Sequence, residues 1–578
     1  MKRALAGVVL AVASVAAQPP APAFVPVTDA ILQNPDPADW LMWRRTLNTW
    51  GYSPLNQITR TNVSQLALAW TRGLGPGIQE GTPLVYRGVM YFPNPSDLVQ
   101  AIDARTGDLK WEYRRMLPAD LGKYFPVPAI NRNLAIYDNL IIDTSADDFV
   151  FALDANTGRL AWETKILDYT KGAQQTSGPI IANGKIISGR GCEPEGGPDA
   201  CVITGHDART GKELWRTHTI PKPGEPGNES WGNVPWEERR HVGTWMVPSY
   251  DPALNLIYIG TSVTSPAPKY LLGDNTKDYL FHNCTLALDA TTGKIVWYYQ
   301  HVVDHWDLDH PFERLLVDTA VAPNRDVVKW INPRLRPGEK RQVVTGIPGK
   351  TGIVYTLDRK TGEFLWATPT VQQTVVATID GATGRVQVNP DSIFEKKGDE
   401  RFICPTLSGG KNFMTGAYNP TSNTMYFPLQ NTCANVTATL DKPSLDNLYG
   451  ISNKASIAPE AKNNVGTIWA ISAETGETKW KYEQRAGTTS VVATGGGVLF
   501  AGDVNGRFRA LDQNTGKVLW QVNLGASVTG YPIVYAVNGK QYVAVSTGGA
   551  LATGGAAQLT PELRTGNNNS LFVFALPN

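Results

Sequence analysis

The stretch 287–297, ALDATTGKIVW, decides the fold. Asp289 and Thr292 carry side-chain oxygens suited to holding turn N–H groups, Gly293 supplies a positive φ, and Trp297 restarts an apolar strand. The unit therefore reads as strand, tight turn, strand. It recurs as AIDARTGDLKW at 101–111, ALDANTGRLAW at 152–162 and GHDARTGKELW at 205–215. Three more copies follow: TLDRKTGEFLW at 356–366, AISAETGETKW at 470–480 and ALDQNTGKVLW at 510–520. An eighth copy is split, with QLALAW at 65–70 resembling the strand after the turn and SLFVFALP at 570–577 the strand before it. Joining the first and last strands in one sheet closes a ring and leaves no open edge. The expected fold is thus all-β, an eight-bladed β-propeller of four-stranded blades, with residues 18–578 forming one domain. Successive motif tryptophans lie 40 to 114 residues apart, so the long intervals carry insertions, and insertions commonly carry function. The repeated Trp, Asp, Thr and Gly are structural, and a propeller alone implies no chemistry.

Composition agrees. The 55 Gly and 40 Pro favour turn-rich β structure, and 53 basic against 52 acidic side chains leave a net charge of +1, with no footprint for nucleic acid. Lys2 and Arg3 precede an apolar run from Ala4 to Ala17 with small residues at its end. That pattern predicts a secretory signal peptide over residues 1–17, with cleavage as late as 23, and hence export to the periplasm. No apolar run is long enough to span a bilayer. In an oxidising compartment the nearby pairs Cys192/Cys201 and Cys404/Cys433 are expected disulfides, with Cys284 left over. No C-x-x-C-H is present, so no c-type haem is expected on this chain.

The A-x-D-x-x-T-G-x-x-x-W repeat resembles the tryptophan-docking motif of the eight-bladed quinoprotein alcohol dehydrogenases, which use pyrroloquinoline quinone (PQQ). The periplasmic sorbose-type branch is the nearest in pattern, through VTDAILQNP at 27–35, CPTLSGGKNF at 404–413, PLQNTC at 428–433 and FVFALPN at 572–578. A non-catalytic outer-membrane assembly propeller shares the repeat, so site residues must separate the two.

The stretch 301–313, HVVDHWDLDHPFE, is the first of these. The resemblance makes Asp307 the catalytic carboxylate, able to take the hydroxyl proton while hydride leaves carbon. Asp309 resembles the extra carboxylate of lanthanide-dependent members; the HPFE that follows departs from the usual glycine-containing sequence, which leaves a salt bridge as its alternative role. Glu193, in Gly191-Cys192-Glu193, matches the second metal carboxylate. A family Asn is missing from GTSVTSPAP (260–268), so Thr264, Ser265 or a backbone carbonyl must replace it; Thr264 is carried as the candidate. The resemblance implies Ca²⁺, with a lanthanide as the alternative; hard cations of either kind take oxygen ligands.

For PQQ, the resemblance implies Arg132 on a carboxylate, Trp245 beneath the ring, Lys350 at the reactive carbonyls, and polar contacts from Thr176, Gly191 and Asn412. The adjacent-cysteine disulfide of many relatives is missing where this chain has Phe125-Pro-Val-Pro-Ala-Ile130. The implied activity is oxidation of a polyol, sugar or bulky secondary alcohol, a deoxynivalenol-type trichothecene hydroxyl among them. Electrons would pass to a soluble cytochrome c.

Overall fold

The computed structural model describes residues 24–124, 130–192, 196–444, 447, 449–550, 555, 558–564, 566 and 568–577. The signal-peptide region, the 125–129 stretch and Glu193 lie outside the described residues.

Eight four-stranded antiparallel sheets follow one another, two of them with a fifth strand added. Blades 1 to 7 span residues 84–114, 135–165, 180–218, 249–300, 315–369, 417–484 and 488–523. Blade 8 takes three strands from 533–575 and its fourth from Ala67–Gly73, paired antiparallel with Ser570–Ala575 so that Trp70 faces Val573. The ring closes as the split motif predicts.

The repeat explains how neighbouring blades lock. In blade 4, Asp289 Oδ1 accepts from the N–H groups of Thr291 (3.1 Å) and Thr292 (2.8 Å), and Gly293 turns the chain at φ +72°. Trp215 of blade 3 lies across that turn: its indole N–H donates to Ala290 O at 3.2 Å, and a Cβ on Gly293 would stand 2.4 Å from its ring. The closing strand obeys the same rule, for Trp70 covers Gly107 of blade 1 in the same way. Trp111, Trp162, Trp297, Trp366 and Trp480 meet the next blade's glycine in the same way, whereas Trp520, facing the split blade, packs edge-on to Phe574 at 5.3 Å. The main apolar clusters extend from one blade into the next.

A segment at 40–50 plugs the axis. Arg44, fully buried, donates to Gly416 O (2.9 Å) and to Val491 O, while the Trp50 indole donates to Leu316 O (2.7 Å) and the Thr49 hydroxyl to Arg314 O (2.6 Å). Trp43 packs edge-on to Tyr531 at 5.8 Å. One short α-helix, Asp29–Gln33, precedes this plug. The insertion in blade 6 supplies Thr432–Ala438 and Ile451–Ile457, which form a three-stranded sheet with Glu400–Ile403 from the segment ahead of that blade.

Candidate active site

In each antiparallel blade, the loop before the innermost strand and the loop after the second strand open at the same end of the ring. Glu80, Arg132, Thr176, Trp245 and Asn412 all stand three to five residues ahead of an innermost strand. Gly191 and Ser262 follow second strands, and Lys350 sits between the Glu339–Gly346 and Ile353–Asp358 strands. These residues, with Asp307 and Asp309, line one cavity of about 370 Å³.

Lys350 lies between the two carboxylates, its Nζ 2.9 Å from Asp307 Oδ1 and 3.1 Å from Asp309 Oδ2. Burial alone would drive its proton off, but Asp307 and Asp309 outweigh that and hold the ammonium. Burial pushes the Asp307 carboxyl well above the usual range; Lys350 opposes this, while Asp309 adds to it. Burial also acts upward on Asp309, yet Lys350, His241 and the Val263 N–H (2.8 Å to Oδ1) bring it below its ordinary value. Two carboxylates with one ammonium leave the cluster negative.

Asp307 adopts φ +70°, a left-handed conformation that Asp tolerates better than most residues. Asp304 holds it there. Oδ1 of Asp304 accepts from Trp306 N–H at 2.6 Å, and its Oδ2 accepts from Leu308 N–H and from Asn283 Nδ2 at 2.9 Å. The backbone on both sides of Asp307 is thereby fixed by one buried carboxylate. The Asp304 N–H donates to His282 Nε2 at 3.0 Å, while His282 Nδ1 donates to Tyr279 O at 2.8 Å, which fixes that ring as the neutral Nδ1–H tautomer.

At the other end, Arg132 Nε donates to Glu80 Oε2 at 2.8 Å, Nη2 stands 2.6 Å from the same oxygen in an ion pair, and Nη1 donates to Thr176 O at 3.1 Å. A guanidinium has five N–H groups, so two remain for a ligand. Glu80 Oε1 is buried with no hydrogen-bond partner among the described residues. The Trp245 ring lies 5.3 Å from the Arg132 guanidinium and is braced edge-on by Phe312 at 5.4 Å.

Most of the expected set therefore converges. Arg132, Thr176, Gly191, Trp245, Asp307, Asp309, Lys350 and Asn412 share the cavity. Asp309 forms the salt bridge that its sequence left open as an alternative, and it also faces the cavity. Thr264 requires correction: its hydroxyl donates to Pro266 O (2.9 Å) and accepts from the buried Lys269 ammonium (2.9 Å), so it is committed away from the cavity. Ser262 of the same loop lines the cavity instead. Glu80, His241 and Tyr449 line the cavity without having been singled out in the sequence. The signal for Glu80 was its place ahead of an innermost strand; Tyr449 reaches in from the blade 6 insertion, which has no repeat to index it. Both expected disulfides are formed, and Cys284 is free and buried.

Comparison with known proteins gives a consistent family. The PQQ-type "glucose/ethanol/alcohol dehydrogenase, beta-propeller domain" matches residues 40–383 and 484–543. The dehydrogenase subunit of a quinone alcohol dehydrogenase from Komagataeibacter europaeus is 32% identical, over 90% of this chain and 73% of that protein. A lanthanide-dependent methanol dehydrogenase from Methylacidiphilum fumariolicum is 31% identical, over 89% of this chain and 85% of its own length. Among solved structures, a europium-containing methanol dehydrogenase superposes with TM-score 0.83 at 28% identity, covering 95% of this chain and 99% of the other.

Proposed function

The chain belongs to the PQQ-dependent glucose/ethanol/alcohol dehydrogenase family and is an oxidoreductase acting on alcohols; on that premise we propose that it is a periplasmic enzyme with Asp307 as its base. What supports this reading is the convergence of Arg132, Trp245, Asp307, Asp309 and Lys350 on one cavity.

The residues fit the cofactor. A flat, acidic quinone suits a cavity with an aromatic wall (Trp245) and a guanidinium with N–H groups to spare. Arg132 would hold a carboxylate, and Thr176, Gly191 and Asn412 would border the ring. Asn412 at present donates to Ser408 O at 3.0 Å. When bound, PQQ supplies the two-electron acceptor for the hydride that leaves the carbinol carbon.

The metal fits as well, since the oxygens of Asp307 and Asp309 suit a hard cation and their cluster with Lys350 is net negative. Glu193 completes the proposed ligand set. Ca²⁺ is the proposed ion, with a lanthanide as the alternative because of Asp309. The Asp307 carboxylate takes the substrate hydroxyl proton. Lys350 places its ammonium where negative charge develops. A polyol, sugar or bulky secondary alcohol, trichothecene hydroxyls included, is the proposed substrate class, and a soluble cytochrome c the acceptor.

Asp307→Asn keeps the side-chain volume and removes the base. Turnover should fall about 1,000-fold or more, with PQQ retained as read from its absorbance. A variant of near-normal kcat would overturn the assignment.

A further inference from the structure

Two carboxylates are buried together where blades 1 and 2 meet. Asp97 stands in the turn between Val89–Asn94 and Leu98–Asp103 of blade 1, and Asp143 in the second strand of blade 2, Leu140–Thr144. Neither is more than 1% exposed. Asp97 Oδ2 accepts from the Ala146 N–H at 2.7 Å, which ties it to the turn that follows Asp143. Asp143 Oδ1 accepts from the Thr144 N–H at 2.8 Å, and its Oδ2 from Asn131 Nδ2 at 2.6 Å. Burial pushes both carboxyls up, and the Asp97 charge raises Asp143 further. The Arg115 guanidinium acts on both, but its hydrogen bonds go to Asp147 (2.8 and 2.9 Å) and Glu163 (2.8 Å).

Three buried oxygens in the same place have no hydrogen-bond partner among the described residues: Asn94 Oδ1, Asn131 Oδ1 and Thr144 Oγ1. Asn131 and Thr144 are each 4% exposed, and both bond Asp143 through N–H groups, so their orphaned oxygens stand beside it. Asn94 pairs with Leu98 to close the turn that carries Asp97. A buried acceptor without a partner is costly, and so is a buried charge without a counter-charge. A proton answers neither need. Asp143 already accepts an N–H at each oxygen, which favours its ionised form. A cation answers both, and a donor set made only of oxygens, two of them anionic, suits a hard divalent ion.

We propose that Asp97, Asp143, Asn131 and Thr144, with Asn94 beside them, form a second cation site that takes a hard divalent ion such as Ca²⁺. None of these residues lines the cavity, so the site is separate from Asp307 and Asp309 and does not depend on the dehydrogenase reading. Its carboxylates come from two blades, and the ion therefore pins blade 1 to blade 2. Asn131 passes that restraint to its chain neighbour Arg132.

The test counts Ca²⁺ bound to the full chain by equilibrium dialysis at micromolar free ion, after stripping with a chelator. The wild type should hold one ion per chain more than Asp97→Asn, whose amide oxygen can still accept from the Ala146 N–H. Asp307→Asn/Asp309→Asn, which lacks the other carboxylate pair, should still hold one. Thermal unfolding gives an independent readout. In chelator, Asp97→Asn should melt above the wild type, having lost an uncompensated buried charge; with Ca²⁺ present the order should reverse, because only the wild type gains the bound ion. Equal counts in the wild type and Asp97→Asn would overturn the site, and a higher Tm for the variant in both conditions would then mark a protonated pair. If Asp97→Asn does not fold, the count in Asp307→Asn/Asp309→Asn decides: one ion supports the site and none overturns it. A difference of one ion in a protein that oxidises no alcohol would overturn the dehydrogenase reading and leave this site standing.

Discussion

Asp304 sets the position of Asp307 without lining the cavity. It neutralises two backbone N–H groups that flank the base, and its backbone O accepts from the buried Lys269 ammonium, whose pKa burial brings down to about 7 against the pull of Asp304. An Asn at this position can accept at only one oxygen and presents an N–H₂ toward a donor. Asp304→Asn is therefore expected to lower kcat about 100-fold through misplacement of Asp307, with KM and bound PQQ little changed; unaltered kcat would contradict the arrangement. Sequence showed Asp307 and Asp309 through the W-D motif, but not Asp304, because nothing in HVVDHWDLDH distinguishes a carboxylate that faces the cavity from one that ties its own loop. Thr264 misled for a related reason. A hydroxyl near the expected ligand position says nothing of which way its loop turns it, and the Lys269 ammonium holds it elsewhere.

At the level of the element, the motif turn was fully legible, since each of its residues has one local task and its Thr, Gly and Trp recur in all seven unsplit copies, with Ser472 replacing the Asp in one. The docking of Trp215 on Gly293 adds a steric demand that can be isolated. Gly293 and Gly224 both have positive φ, +72° and +86°, but a Cβ meets the Trp215 ring at the first and nothing within 4 Å at the second. Alanine at Gly224 should cost about 1 kcal/mol, the penalty of the left-handed conformation. Alanine at Gly293 should cost about 2 kcal/mol beyond that, from overpacking. Urea unfolding at equilibrium measures both, and equal losses would mean that the tryptophan does not lock the blades. Insertions were legible only as excess length. The hairpin that delivers Tyr449 has no periodic partner, and its docking on the 264–268 loop depends on contacts far apart in the chain.

Across the whole molecule, closure by Ala67–Gly73 on Ser570–Ala575 makes the eight blades one ring, and that ring gathers loops from residue 80 to residue 449 around one cavity. The order of blades is what turns a chain with dispersed Arg, Trp, Lys and Asp residues into a site with a guanidinium at one end and a carboxylate–ammonium cluster at the other. The most direct test of this account is alcohol turnover by the metal- and cofactor-free protein, followed with an electron-accepting dye, as PQQ and Ca²⁺ or La³⁺ are added singly and together. The account predicts oxidation only when PQQ and a cation are both present. Turnover without either, or none with both alongside a failure of PQQ to bind, would contradict it.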